Sequence, residues 1–153
     1  MKPAPRLRFT HLGSRGDARM VHVGDKPDQA RLAVARGRIR LGRATLALLR
    51  QQALPKGDVL TVAKIAGIQA AKTTSTLIPL CHPLALTGVD LAFRVDATGI
   101  AIEAVVRTTG KTGVEMEALS AVAVAALTIY DMCKAVDKRM VIGAVKLVRK
   151  EKI

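Results

Sequence analysis

Aromatic residues are almost missing from this chain: no tryptophan, one tyrosine and two phenylalanines in 153 residues. Proteins that grip single-stranded nucleic acid stack its bases on aromatic side chains, and here that platform is lacking. No basic recognition helix or zinc-finger spacing is present either. Cysteine is nearly as scarce. Cys81 and Cys133 stand far outside a CxxC spacing, which argues against a disulfide scaffold and for a reduced, cytoplasmic setting. No run reads as the uncharged length needed to cross a bilayer, and no signal-peptide pattern opens the chain, so no membrane partner is expected. Acidic residues are few. Twelve Asp and Glu face twenty-five Lys and Arg, a net charge of +13. Such a balance calls for an anionic partner, and composition alone fits nucleic acid or a phosphorylated small molecule equally well.

What is plentiful is small aliphatic residues. Half the chain is hydrophobic, so the core must be built from Ala, Val, Leu and Ile, and the length suits one domain. Residues 1–19 mix Pro, Gly and Arg without periodicity and read as a flexible basic arm, with a single domain over 20–153. The stretch from Thr112 to Val136 has no proline and reads as one long helix. Thr112 and Glu115 have the spacing of a capping box at its start. From Ala118 to Met132 only Ser120, Thr128, Tyr130 and Asp131 interrupt the apolar residues. A helix so apolar is packed on more than one side, by a second layer or another subunit.

Around this helix the pattern alternates between strand and helix. Met20–Val23 reads as a short strand, with Gly24-Asp25-Lys26-Pro27 turning the chain. Arg31–Leu41 alternates but for Gly37, which predicts a bent or bulged strand. Arg43–Gln52 is a short helix that stops before Pro55. Asp58 caps another helix through about Thr73, with Val59, Val62, Ala63, Ala66 and Ala70 on its apolar face. In Leu77–Pro83 the two prolines make a stiff, pre-shaped segment around Leu80, Cys81 and His82. Val89–Val95 and Ile100–Val106 alternate cleanly about the Asp96–Gly99 turn, and Met140–Arg149 is a last strand. From residue 31 the order is βαββαβ, the order of a ferredoxin-like α+β sandwich with helices on one face of an antiparallel sheet. Its other face needs covering, so the expected state is a homo-oligomer.

Several residues invite chemistry. Gly110-Lys111-Thr112 resembles the end of a phosphate loop, but Val105 stands where the first glycine is required. Glu115 and Glu117 would also repel a phosphate from that helix end. Asp131 and Lys134 are one turn apart, which suits a surface ion pair or a carboxylate holding an acid–base ammonium. Lys56 and Lys72 fit solvated charges or an anion-binding ring. His82, beside Cys81, is the most suggestive of the three histidines, though no second ligand pair makes a metal site with them. Glu117 and Asp131 are fourteen residues apart on the helix, and so about 21 Å apart at 1.5 Å per residue. A small site that uses both must be shared between subunits.

Leu77-Ile78-Pro79-Leu80-Cys81-His82-Pro83, Thr112-Gly113-Val114-Glu115-Met116-Glu117-Ala118-Leu119 and Tyr130-Asp131-Met132-Cys133-Lys134-Ala135 together closely resemble the molybdenum cofactor biosynthesis protein C (MoaC) family, the cyclic pyranopterin monophosphate synthases. Pro55-Lys56-Gly57-Asp58 and Ala66–Lys72 match too, and the resemblance runs from about Met20 to Lys150. It implies a ferredoxin-like subunit in a hexamer, a trimer of dimers, with active sites at subunit interfaces. The implied reaction converts 3′,8-cyclo-7,8-dihydroguanosine 5′-triphosphate into cyclic pyranopterin monophosphate and pyrophosphate. An upstream radical-SAM guanosine cyclase is the implied pathway partner. Carried over by position, Asp131, Lys134 and Lys56 are the implied catalytic residues. Lys72 is the implied phosphate ligand, and Leu80, Cys81, His82, Glu115, Met116, Glu117 and Lys150 the implied substrate contacts. No protein-held metal is implied; Mg2+ travelling with the triphosphate is the one cofactor considered. The chain departs from the family pattern at His22, Thr73 and Thr76, and it ends Lys150-Glu151-Lys152-Ile153 without a glycine- and lysine-rich tail. Two other classes remain alongside: a catalytically weak relative acting as an oligomeric binding or regulatory protein, and a basic nucleic-acid binder.

Overall fold

Alternation writes the sheet. Along β3 (Gly99–Gly110) Ile100, Ile102, Ala104, Val106 and Thr108 are buried, while Arg107 points to solvent. β1 (Gln29–Arg40) does the same with Ala33, Ala35 and Ile39. The computed structural model describes residues 16–153, so most of the basic arm expected over 1–19 lies outside the described residues. With β2 (Leu86–Val95) and β4 (Val141–Lys152), the strands form one four-stranded antiparallel sheet in the order β2-β3-β1-β4. β2 and β3 are joined by the short Asp96–Thr98 turn, closed where the Asp96 amide donates to the Gly99 carbonyl at 3.0 Å.

Helices cover the face that carries the buried aliphatics. α1 (Arg43–Arg50), α2 (Val59–Lys72) and a single turn, α3 (Thr74–Leu77), separate β1 from β2, and α4 (Glu115–Cys133) separates β3 from β4. α4 packs across β1, β3 and β4, α2 packs across β2, and the two helices pack against each other. Two glycines permit this closeness. A Cβ on Gly37 would lie 2.5 Å from Val122 Cγ1, and one on Gly67 would lie 2.5 Å from Leu91 Cδ2 and 2.9 Å from the Ala121 carbonyl. Gly37 is also where the β1–β4 register slips, so the bulge expected there is present.

Some expectations fail. Met20–Val23 forms no strand, although the turn at Gly24–Lys26 is made, with the Lys26 amide on the Val23 carbonyl at 3.1 Å. The Thr112–Glu115 capping box does not form. Val114, whose side chain has no polar atom, is the N-cap of α4, so Thr112 lies before the cap and Glu115, the first helical residue, meets Lys150 instead. Asp58 does cap α2, accepting from the Thr61 amide at 3.1 Å, but Val62 is 43% exposed and Gly67 takes its place on the buried face. In the Leu77–Pro83 segment Ile78, before Pro79, is extended as expected, but Leu77 closes α3 and the Cys81 amide bonds back to the Ile78 carbonyl at 3.1 Å, so a turn interrupts the stretch. α4 is, contrary to the reading of its sequence, long and apolar enough to cross a membrane. Ala118, Ala121, Val122, Ala125, Ala126 and Ile129 are nonetheless fully buried against the sheet and α2, where a core helix belongs.

Candidate active site

The predicted site residues fall into two clusters, one at each end of α4. At its N-terminal end, Leu80, Cys81, His82, Glu115, Met116 and Glu117 line one cavity of about 380 Å³, closed on another side by Val21, Val23 and Lys26. The loop after α3 brings the first three; the first turn of α4 brings the others. Glu117 is only 4% exposed, and burial, with Glu115 beside it, pushes its carboxyl above the usual carboxylate range. Burial and the nearby Glu117 charge also push the Cys81 thiol up, so the sulfur stays protonated and is not primed as a nucleophile. His82 Nε2 lies 2.7 Å from the Val21 carbonyl oxygen.

Lys150, on β4, reaches Glu115 Oε1 at 3.2 Å. Both line an adjoining cavity of about 290 Å³, together with Arg31 and Lys152. Arg31 was not singled out in the sequence. Its Nε donates to the Gly110 carbonyl at 2.8 Å and its Nη2 to the Lys111 carbonyl at 3.1 Å, so it braces the loop that leads into α4. The signal that could have found it is register: Arg31 pairs with Thr108 on β3, which sets it beside the residues before α4.

At the other end of α4, Asp131 is held between two lysines. Its Oδ1 accepts from Lys134 Nζ at 2.7 Å and its Oδ2 from Lys56 Nζ at 2.7 Å. Lys56 comes from the loop before α2, where Gly57 takes φ 84°, a left-handed conformation that suits glycine. The Lys134 and Lys56 ammoniums hold the Asp131 carboxyl at a pKa of about 2, and the carboxylate in turn raises the pKa of Lys134. Lys134 is therefore an ammonium at neutral pH, able to give a proton or bind an anion, and it becomes a base only after surrendering that proton.

Lys72 joins neither cluster. It lines a third cavity of about 440 Å³ between the end of α2 and β2, with Ile68, Leu84 and Leu86. A further concavity of about 420 Å³, on the sheet face away from the helices, holds Arg36, Arg94 and Glu103 but no predicted site residue. Among the described residues no group of three or more His, Cys, Asp and Glu side chains is arranged to hold a metal ion.

Ammoniums clustered around a carboxylate, with a buried carboxyl and a histidine in a separate cavity, are the groups that acid–base chemistry on an anionic small molecule requires. The chain belongs to the MoaC family, whose model matches residues 20–152. It is 62% identical over 144 residues to the cyclic pyranopterin monophosphate synthase of Pelotomaculum thermopropionicum, covering 93% of this chain and 85% of that one. It is 61% identical to the protein of the same name from Heliobacterium modesticaldum, covering 93% and 91%. The molybdenum cofactor biosynthesis bifunctional protein of Chlorobaculum tepidum is 60% identical over 141 residues, which cover 92% of this chain and 45% of that longer protein.

Proposed function

We infer that this chain is a cyclic pyranopterin monophosphate synthase of molybdenum cofactor biosynthesis, a lyase that converts 3′,8-cyclo-7,8-dihydroguanosine 5′-triphosphate into cyclic pyranopterin monophosphate and pyrophosphate. The observation that carries this reading is the identity of about 60% to synthases over nearly the whole chain. Lys56, Asp131 and Lys134 all lie within the matched span. Ring opening and rearrangement need a group that can give and recover a proton, and departing phosphates need positive charge. Lys134, positioned by Asp131, takes the first role and Lys56 supports it. Lys72 and Lys150 bind phosphate oxygens, and Leu80 through His82 with Glu115, Met116 and Glu117 hold the ring system. Mg2+, where it is needed, enters on the triphosphate.

The ferredoxin-like reading is supported by the β2-β3-β1-β4 order with α2 and α4 on one face. A homohexamer with shared active sites is supported by the separation of the two clusters. Residues on one straight helix, fourteen apart, stay about 21 Å apart. The large apolar residues left exposed on α2 and α4, Ile65 and Leu127, support it too. The setting we assign is the cytoplasm, downstream of a radical-SAM guanosine cyclase. Incubation with the cyclised triphosphate tests the function. The native chain releases pyrophosphate, and Lys134→Ala releases almost none; a native chain that leaves the substrate intact overturns the reading.

A further inference from the structure

The Gly110-Lys111-Thr112 stretch, which looked like part of a phosphate loop, has a different use. The Lys111 ammonium donates to the Gly24 carbonyl, across the chain from its own loop. Gly24 belongs to the segment Val21–Lys26, which has no helix or strand and forms one wall of the cavity around His82 and Glu117. That wall is fastened at a second point, where His82 Nε2 meets the Val21 carbonyl oxygen at 2.7 Å. Between them, the Lys26 amide closes a turn on the Val23 carbonyl at 3.1 Å.

A carbonyl oxygen only accepts hydrogen bonds, so Nε2 of His82 must carry the proton in this arrangement. In the neutral ring the lone pair is then on Nδ1. We propose that Lys111 is a positioning residue: by clamping Gly24 it holds the Val21–Lys26 strap over the cavity, so that the Val21 carbonyl fixes His82 in the tautomer whose Nδ1 accepts a hydrogen bond from the substrate. The proposal rests on the functional reading above only for the substrate that meets Nδ1; the clamp and the tautomer stand independently of it. This is the use of the lysine in a GKT sequence whose first phosphate-loop glycine is replaced by Val105. Its charge is spent on a backbone carbonyl.

The test uses the full chain, 15N-labelled, with the His82 signals assigned by comparison with His82→Gln. At a pH where the ring is neutral, native His82 shows the Nε2–H tautomer; a native Nδ1–H tautomer overturns the proposal without any variant. In Lys111→Met the His82 signals move toward a mixture of tautomers. KM for the cyclised triphosphate rises about fivefold, the loss of one net hydrogen bond, with kcat changed less than about twofold. Lys111→Arg, which keeps a long cationic donor, restores both. An unchanged His82 spectrum in Lys111→Met overturns the proposal, even if KM rises, because the lysine would then act on the substrate directly. A native chain without turnover defeats the functional reading alone, and the His82 spectra still decide the clamp.

Discussion

Asp131 shares its carboxylate between two ammoniums, Lys134 one turn along the same helix and Lys56 seventy-five residues away, each at 2.7 Å. The pair is more than half exposed at the carboxylate, so its worth lies in proton affinity rather than in stability. Removing the charge with Asp131→Asn leaves Lys134 without the partner that raises its pKa. The alkaline limb of the kcat profile is expected to move to lower pH, and kcat to fall about 100-fold, the usual weight of a positioned acid–base group. On the acid side the native carboxylate, held at about 2, remains ionised down to that pH. A pH–rate profile of Asp131→Asn that overlays the native one would remove Asp131 from the mechanism.

Glu117 is the opposite case. Its carboxyl is buried and pushed up, so ionising it costs the folded state. The sign follows: the folded chain is favoured while Glu117 is protonated and loses stability as pH rises through its raised pKa. Glu117→Gln keeps the shape and removes the charge. It is expected to be more stable than the native chain at neutral pH, with the gap closing in acid. Thermal melts at several pH values measure this, and a gap that widens in acid would contradict it.

Much of this was legible in the sequence because it is local. Period-two alternation is enough to find β2 and β3, and Asp58 announces the start of α2. What was not legible depends on partners distant in sequence. Lys56 meets Asp131 only because α2 packs on α4. The Thr112–Glu115 pattern is a sound capping box on its own, yet Lys150 on β4 captures Glu115, and nothing near Glu115 in sequence shows that lysine coming. Arg31 was overlooked for the same reason, since its significance comes from strand pairing. Val62 reads as core by spacing, but Gly67, which lets α2 sit against the Ala121 carbonyl, turns the helix so that Val62 faces out.

That same contact predicts a cost. Gly67→Ala places a Cβ 2.5 Å from Leu91 Cδ2 and 2.9 Å from the Ala121 carbonyl, and the carbonyl, being backbone, cannot yield. The gain in helix propensity is about 1 kcal/mol, and overpacking of this kind costs about 1–3 kcal/mol. The variant is expected to be less stable in urea titration, with a lower midpoint and an unchanged slope.

Gln52 gives the reverse prediction. It follows α1 with φ 52°, in the left-handed region where a side chain is strained, and its neighbours depend on that turn: the Ala53 amide bonds to Leu48 at 2.9 Å. Gln52→Gly relieves the strain but frees the unfolded chain, and relief outweighs entropy where φ is positive. A stabilisation of about 0.5–1 kcal/mol is expected. A lower melting temperature would show that the Gln52 side chain holds the turn.

Asp137 ties together two segments distant in sequence. Its carboxylate, 8% exposed, accepts from the Gly42 amide at 2.7 Å, the Thr45 hydroxyl at 3.2 Å and the Arg139 amide at 3.0 Å. It thus fixes the start of α1 to the loop between α4 and β4. The Gly42 amide contributes most to lowering its pKa. A lowered carboxyl contributes stability that is present above its unfolded value and lost as pH falls through the folded one. Asp137→Asn retains one acceptor oxygen but not the charge, and orphans part of this network at about 1–3 kcal/mol. The native chain is therefore expected to lose stability on acidification more steeply than Asp137→Asn, the two curves converging at low pH. Parallel curves from neutral to acid would mean that Asp137 acts through shape alone, and the charge would then have no part in holding α1 to the loop beneath it.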